Sequence, residues 1–323
     1  MGKAKHRLKK KDLIMNIFAL FSEEYEKSKH KSIWDIVISI EYVIEYLKEK
    51  CEVDYKSSLW LWTQMKRYEE ELGVKLFRKV KKNDKEFSIA IHYPFKNFFQ
   101  KQHLYVTEKI KVANGVYDLL QNLSDTPDRR NRLRIILGAG TLCYHLSTIL
   151  ADHSWNSRIK YLIHTNNLGA LEQLIIPGIN NENIRISIPE GVVDPVTQTI
   201  IGENNAIYSD VEFDFIIQGT SYVYNGNLYI ESGEESLRKH EILKKTKGKK
   251  ILVLTKREFT DKLPDGMSEF GNIKDYDYAV IPKKSTDSTI KKKCESIFEQ
   301  YSGLFIPQII NWNYEILKVN NNV

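Results

Sequence analysis

The alternation of apolar and polar positions divides the chain into two textures. Over residues 8–123 the repeat is mostly helical. Within residues 33–47, Ile33, Val37, Ile40, Ile44 and Leu47 recur at helical spacing, with Asp35, Glu41 and Glu45 on other faces. Residues 57–72 carry a second such repeat, with Leu61, Met65, Tyr68 and Leu72 on one face and Gly73 placed to stop it. Residues 74–91 alternate apolar and basic positions around Lys82-Asn83-Asp84-Lys85, which predicts a short hairpin. A further helix is predicted over 107–123. The polar stretch 124–131, with Pro127 inside it, marks the predicted domain boundary, giving domains 1–123 and 132–323.

Beyond that boundary short β-rich runs alternate with helical ones. Strands are predicted at 133–137, 159–164, 184–188, 213–218, 251–254 and 278–281. Helices are predicted after the first two of these and over 234–247. Such alternation predicts an α/β domain with a largely parallel sheet covered on both faces. After Lys284 the pattern predicts a helix over 290–301 and then an irregular segment with Trp312 and Tyr314.

Composition changes this picture little, and charge changes it more. The 323 residues are 42% hydrophobic and 28% charged, which excludes disordered and collagen-like classes. Residues 1–128 hold 24 Lys and Arg against 19 Asp and Glu, whereas the remainder holds 24 against 23. The excess of positive charge therefore sits in the helical part, a modest hint of an anionic partner there. Three dispersed cysteines fit reduced thiols in a cytoplasmic protein. The apolar runs 13–21 and 33–47 are too short or too interrupted by acids for a membrane span, so no membrane partner is expected.

The outer face of the 57–72 helix carries Trp60, Thr63, Lys66 and Arg67, with Ser57 and Ser58 at its start. A basic hairpin follows, with Arg78, Lys79, Lys81 and Lys82. A helix with a polar outer face followed by a cationic hairpin is what a winged helix-turn-helix uses on double-stranded DNA, one for the major groove and the other for phosphates. The stretch from Gln64 through Gly73-Val74-Lys75-Leu76-Phe77-Arg78 resembles the end of the recognition helix and start of the wing in LysR-type regulators. Val106-Thr107-Glu108 resembles the start of their linker helix, which implies a homodimer or higher homo-oligomer joined through 107–123.

In the second half, Gly138-Ala139-Gly140-Thr141 ends the first strand and opens a helix. Glycines let backbone approach an anion, and a helix N-terminus supplies free N–H groups; the same turn serves equally well as plain structure. A dinucleotide fingerprint would want glycine where Cys143 stands and an acid where His164-Thr165-Asn166 stands, so no nicotinamide cofactor is expected. The eight histidines show no paired metal spacing, and no catalytic triad stands out.

Several loops in order resemble the sensor domain of DeoR-type repressors, related to ribose-5-phosphate isomerase. They are Ile136–Thr141, His164-Thr165-Asn166-Asn167-Leu168, Ile188–Asp194, Gln198–Gly202, Asp214–Ser221, Glu235-Ser236-Leu237-Arg238-Lys239 and Ile251–Leu254 with Phe259 beyond it. The resemblance implies a site for a small phosphorylated effector at the carboxyl ends of the strands. Gly138, Gly140 and Thr141 would cradle the phosphate, Asn166, Gly219, Thr220 and Ser221 would line the sugar, and Lys239 would add a cation. The acidic loop of the isomerases is replaced here by Gln218–Ser221, which implies a binding domain with no catalytic residue. The expectation is a DNA-binding regulator that senses a phosphorylated sugar or nucleotide, with a phosphosugar isomerase or transferase as the alternative. A third reading keeps the sensor and gives the helical half, with Trp60, Trp62 and Phe95–Phe99, to a protein partner.

Overall fold

The computed structural model describes residues 7–28, 33–81, 87–93, 95, 97–124, 132–202, 212–283 and 295–321. These form two compact units that divide between Thr107 and Glu108, earlier in the chain than the polar stretch 124–131. The shift has a packing cause. Helix α5 (Val106–Ser124) buries Val112, Ala113, Val116, Leu119 and Leu120 in the core of the second unit. A Cβ on its Gly115 would lie 2.8 Å from both the Tyr314 ring and Val280. This helix covers a sheet, where the sequence predicted a linker between subunits.

The first unit runs α1 (Lys10–Lys27), β1 (Ile38–Ser39), α2 (Ile40–Cys51), α3 (Ser58–Leu72), β2 (Phe77–Lys81), β3 (Phe87–Ile91) and α4 (Phe98–Lys101). Its strands form an antiparallel sheet in the order β1-β3-β2. The predicted helix over 33–47 starts only at Ile40. Ser39 caps it by accepting the Tyr42 N–H at 3.1 Å, while Ile38 and Ser39 pair with Ile89 and Ser88. A serine cap and a strand partner outweigh an apolar repeat that extends past both. Helix α3 and the hairpin fall where predicted: Leu61, Met65 and Tyr68 are buried, Gly73 ends the helix at φ +64°, and Phe77 pairs with Ile91. The tip of the hairpin, with Lys82, lies outside the described residues. Phe18, Phe21, Val43, Leu47, Leu61 and Phe77 share the core.

The second unit continues from α5 through β4 (Arg132–Leu137), α6 (Thr141–Ser154), β5 (Lys160–Thr165), α7 (Leu168–Gly178) and β6 (Ile184–Ser187). Next come the pair β7 (Val192–Asp194) and β8 (Thr199–Ile201), then β9 (Phe215–Gly219), β10 (Tyr222–Tyr224), β11 (Asn227–Ile230) and α8 (Gly233–Lys245). Last are β12 (Lys249–Val253), β13 (Ser268–Asn272), β14 (Tyr278–Pro282), α9 (Glu295–Glu299), β15 (Phe305–Ile310) and β16 (Tyr314–Val319). The main sheet has eight strands in the order β15-β16-β14-β12-β9-β4-β5-β6. The six from β14 to β6 are parallel, as predicted, and β16 and β15 close one side antiparallel. The tail that was predicted irregular is therefore the hairpin that finishes the sheet.

Alternate residues of the central strands feed two cores. Ile135, Leu137, Phe215, Ile217, Ile251 and Val253 pack with α5 and α6. Leu252, Leu254, Ala279 and Ile281 face Leu243 of α8 and Phe270 of β13. Burial on both faces is why these strands read as continuous apolar runs.

Candidate functional site

The strand order fixes where the second unit opens. From β4 the chain winds outward through β5 and β6, whereas β9, β12 and β14 lie on the other side of it. The reversal falls between β4 and β9, and ligands of open α/β sheets bind outside the carboxyl ends of strands at such a point. The sequence-predicted glycines are at this position. Gly138 follows β4 and donates its N–H to Ile217 O at 2.9 Å. A Cβ there would lie 3.0 Å from that oxygen, so the close approach of the two backbones requires glycine. Gly140 stands at the N-cap of α6 at φ +106°, with no side-chain cap, and a Cβ on it would meet open space. Thr141 opens the helix, half-buried. The first turn of α6 thus offers N–H groups that no capping side chain takes up.

Asn167, which the sequence reading passed over, holds this turn in shape. Its Oδ1 caps α7 by accepting the Ala170 N–H at 3.1 Å, while its Nδ2 donates to Gly140 O at 2.9 Å and approaches Gly138 O at 3.4 Å. Thr165 ties the same corner by donating to Leu137 O at 2.7 Å. Asn166, predicted to line the site, is buried against β8, with Nδ2 3.4 Å from Ile200 O. The turn after β5 points these adjacent asparagines in different directions, and the second of them faces the glycines.

Across the crevice, Gly219 ends β9, and Thr220 and Ser221 lead into the β10–β11 hairpin. Thr220 Oγ1 lies within 3.0 Å of the Tyr222 and Tyr229 carbonyls, and Ser221 Oγ donates to Glu231 at 2.6 Å. Lys239 is not an open cation. It is buried on α8, donates to Gly219 O at 2.9 Å, and stands 3.6 Å from Glu235 one turn earlier. The pair brings a carboxylate beside a loop that has none of its own. Burial pushes the Cys143 thiol up to about 12, with Lys239 opposing the rise and Glu235 adding to it. A neutral, enclosed thiol is no nucleophile at neutral pH. Under the crevice, Gln218 accepts the Tyr276 hydroxyl at 2.8 Å. Its Nε2 has no partner among the described residues.

In the first unit the predicted residues fare unequally. Ser57 caps α3 by accepting the Trp60 N–H at 3.3 Å, and Ser58 reaches Glu41 at 3.5 Å. Trp60 stacks on Tyr55 with ring centroids 5.5 Å apart, under the Arg7 guanidinium, in a hollow of about 450 Å³. Thr63 spends its hydroxyl on Leu59 O at 2.9 Å. Lys66, expected on the outer face, is committed inside the unit. Its ammonium bonds Glu69 at 2.5 Å and Phe77 O at 3.0 Å, over the Trp62 ring, while Glu69 takes the N–H groups of Leu76 and Phe77. It pins α3 to β2. Arg67, Arg78 and Lys79 are exposed, Lys79 with its ammonium 3.9 Å over the Phe87 ring. Lys81 ends β2.

These features define a doubly wound α/β unit with a glycine-lined crevice at its switch point, preceded by a small helical unit with an antiparallel sheet. No family model matches the chain, and neither does any curated protein. Among solved structures it is similar to ribose 5-phosphate isomerase from Plasmodium falciparum, at 12% identity and a TM-score of 0.32 over 66% of this chain and 79% of that one. It is also similar to ribose 5-phosphate isomerase A from Methanocaldococcus jannaschii, at 11% and 0.32 over 66% and 80%. A third is eIF2B delta from Chaetomium thermophilum, at 10% and 0.35 over 81% and 85%. No helix among the described residues is long and apolar enough to cross a membrane.

Proposed function

We propose that the chain is a DNA-binding regulator whose second unit senses a small phosphorylated metabolite. The observation that supports the first part is the element order α1-β1-α2-α3-β2-β3 with the sheet order β1-β3-β2, which is compatible with a winged helix-turn-helix. In this reading α3 is the recognition helix and β2–β3 the wing, and Arg67, Arg78 and Lys79 are the exposed cations that meet phosphates. The sensing part is supported by Gly138, Gly140 and Thr141 at the uncapped start of α6, held by Asn167, at the switch point of the sheet. Ligand would favour one arrangement of the second unit and so change affinity for DNA.

The test is fluorescence anisotropy of the full chain on duplex DNA from upstream of its own gene. Binding should weaken with salt, and Arg67→Ala, Arg78→Ala and Lys79→Ala should together flatten that dependence by about three phosphates' worth of slope. A salt-independent signal, or one that the triple variant leaves unchanged, rejects the DNA reading. Glu235 beside Lys239 supports a second reading, proton transfer on a sugar phosphate by a carboxylate brought in from α8. Incubation with ribose 5-phosphate separates the two: turnover that Glu235→Gln abolishes favours an enzyme, and binding without turnover favours a sensor.

A further inference from the structure

Polar side chains with unmet hydrogen-bonding capacity collect in one layer of the second unit. Ile242 of α8 packs with Ile136, Phe213 and Ile216, so this helix covers β4 and β9 on that face. Gln218, two residues beyond Ile216 on β9, and Arg238, one turn before Ile242, belong to the same layer toward its carboxyl end. The His164 ring stands edge-on to Phe213, with centroids 4.8 Å apart. All three side chains are buried. His164 Nδ1 and Nε2, Gln218 Nε2, and Arg238 Nε and Nη1 have no partner among the described residues.

Arg238 departs furthest from what a folded chain ordinarily tolerates. It is 1% exposed, and its Nη2 donates to Glu190 O at 3.1 Å and Gly202 O at 2.8 Å. Those bonds use two of the five N–H groups of a guanidinium, and Arg238 forms no ion pair among the described residues. An enclosed cation without a counter-charge is costly, and buried donors ordinarily meet acceptors. Lys239, which the sequence resemblance assigned as the cation of the site, is already held by Glu235 and Gly219 O. We infer that Arg238 supplies the counter-charge for a second anionic group of the ligand. The sensed metabolite is then a sugar phosphate with a carboxylate or a further phosphate at its other end. The inference rests on the sensing role proposed for the Gly138–Thr141 turn. Asn167, bonded to Gly140 O, bridges to Thr199 of β8, and the strand from there to Gly202 spans about 10 Å, the length of an extended sugar phosphate. Gln218 adds a donor beside the turn, where a Cβ on Gly138 would lie 3.3 Å from its Cγ.

Calorimetric titration of the full chain with glucose 6-phosphate, 6-phosphogluconate and glucose 1,6-bisphosphate, which differ at the first carbon, tests it. The wild type should bind at least one of the two doubly anionic compounds ~10-fold or more tighter than glucose 6-phosphate. Preference for the acid identifies a carboxylate as the second group, and preference for the bisphosphate identifies a phosphate. Arg238→Met should abolish the preference while keeping glucose 6-phosphate within about twofold of wild type, and Arg238→Lys should retain part of it. Without ligand, Arg238→Met should melt within about 5 °C of wild type, because the loss of two bonds to carbonyls is offset by removal of an uncompensated buried charge. A larger drop makes the guanidinium a structural clasp and overturns the inference. If the three compounds bind alike, or Arg238→Met weakens all three equally, the inference falls and the sensing reading stands. If none binds the wild type, both fall.

Discussion

Replacing Asn167 by Ala tests whether one side chain shapes the Gly138–Thr141 turn. The substitution removes the cap on α7, the 3.1 Å bond to the Ala170 N–H, which is worth about 1 kcal/mol. It also removes the donor to Gly140 O at 2.9 Å and leaves that carbonyl short of a partner, a further cost of about 1–2 kcal/mol. The 3.4 Å approach to Gly138 O adds little. The expected loss is about 2–3 kcal/mol, read by urea unfolding of the full chain with hydrogen exchange of α7 amides to assign it to the second unit. Asn166→Ala, which gives up one 3.4 Å contact to Ile200 O, should cost less than about 1 kcal/mol. Asn167→Asp retains the acceptor for Ala170 and should recover only the capping part. If Asn167→Ala costs under about 1 kcal/mol, or no more than Asn166→Ala, the turn is held by something else and the argument fails.

Three other perturbations follow from the same geometry. Gly115→Ala drives a methyl to 2.8 Å from the Tyr314 ring and Val280, so thermal unfolding should register about 1–3 kcal/mol of overpacking. Lys66→Met strips the buried Glu69 of its cation and should lower the melting temperature of the first unit. Arg67→Ala, one residue on and exposed, should stay within about 0.5 kcal/mol of wild type. Cys143, with its thiol raised to about 12, should resist iodoacetamide at pH 8 in the folded chain and react on unfolding. Because unfolding restores an ordinary thiol near 8.5, the unfolded chain releases the proton first. Stability should therefore decline as pH rises from about 8.5 toward 12, and replacement by Ala should flatten that decline.

What the sequence made legible follows from which forces act locally. The parallel strands were readable because burial on both faces makes Leu133 to Leu137 or Phe215 to Gln218 nearly unbroken apolar runs, and their order along the chain alternates with helices. Gly138 and Gly140 were readable because few residues fit a close backbone approach or φ near +106°. What escaped depends on partners distant in the chain. Helix α5 looks like a free amphipathic helix until Tyr314 and Val280, far along the sequence, close over Gly115. Lys66 looks like an outward cation until the strand after it supplies Phe77 O and Glu69 turns inward to meet both. Of two neighbouring asparagines, only the geometry of the turn after β5 decides which one reaches the glycines. Glu235 was within reach of a local argument, since it precedes Lys239 by one helical turn on a predicted helix. The excess positive charge of the first half reads the same way. Lys66 is consumed by folding together with Glu69, which leaves the net charge of the first half unchanged, so the burial of individual cations, and not the sum, distinguishes Lys66 from the exposed Arg67, Arg78 and Lys79.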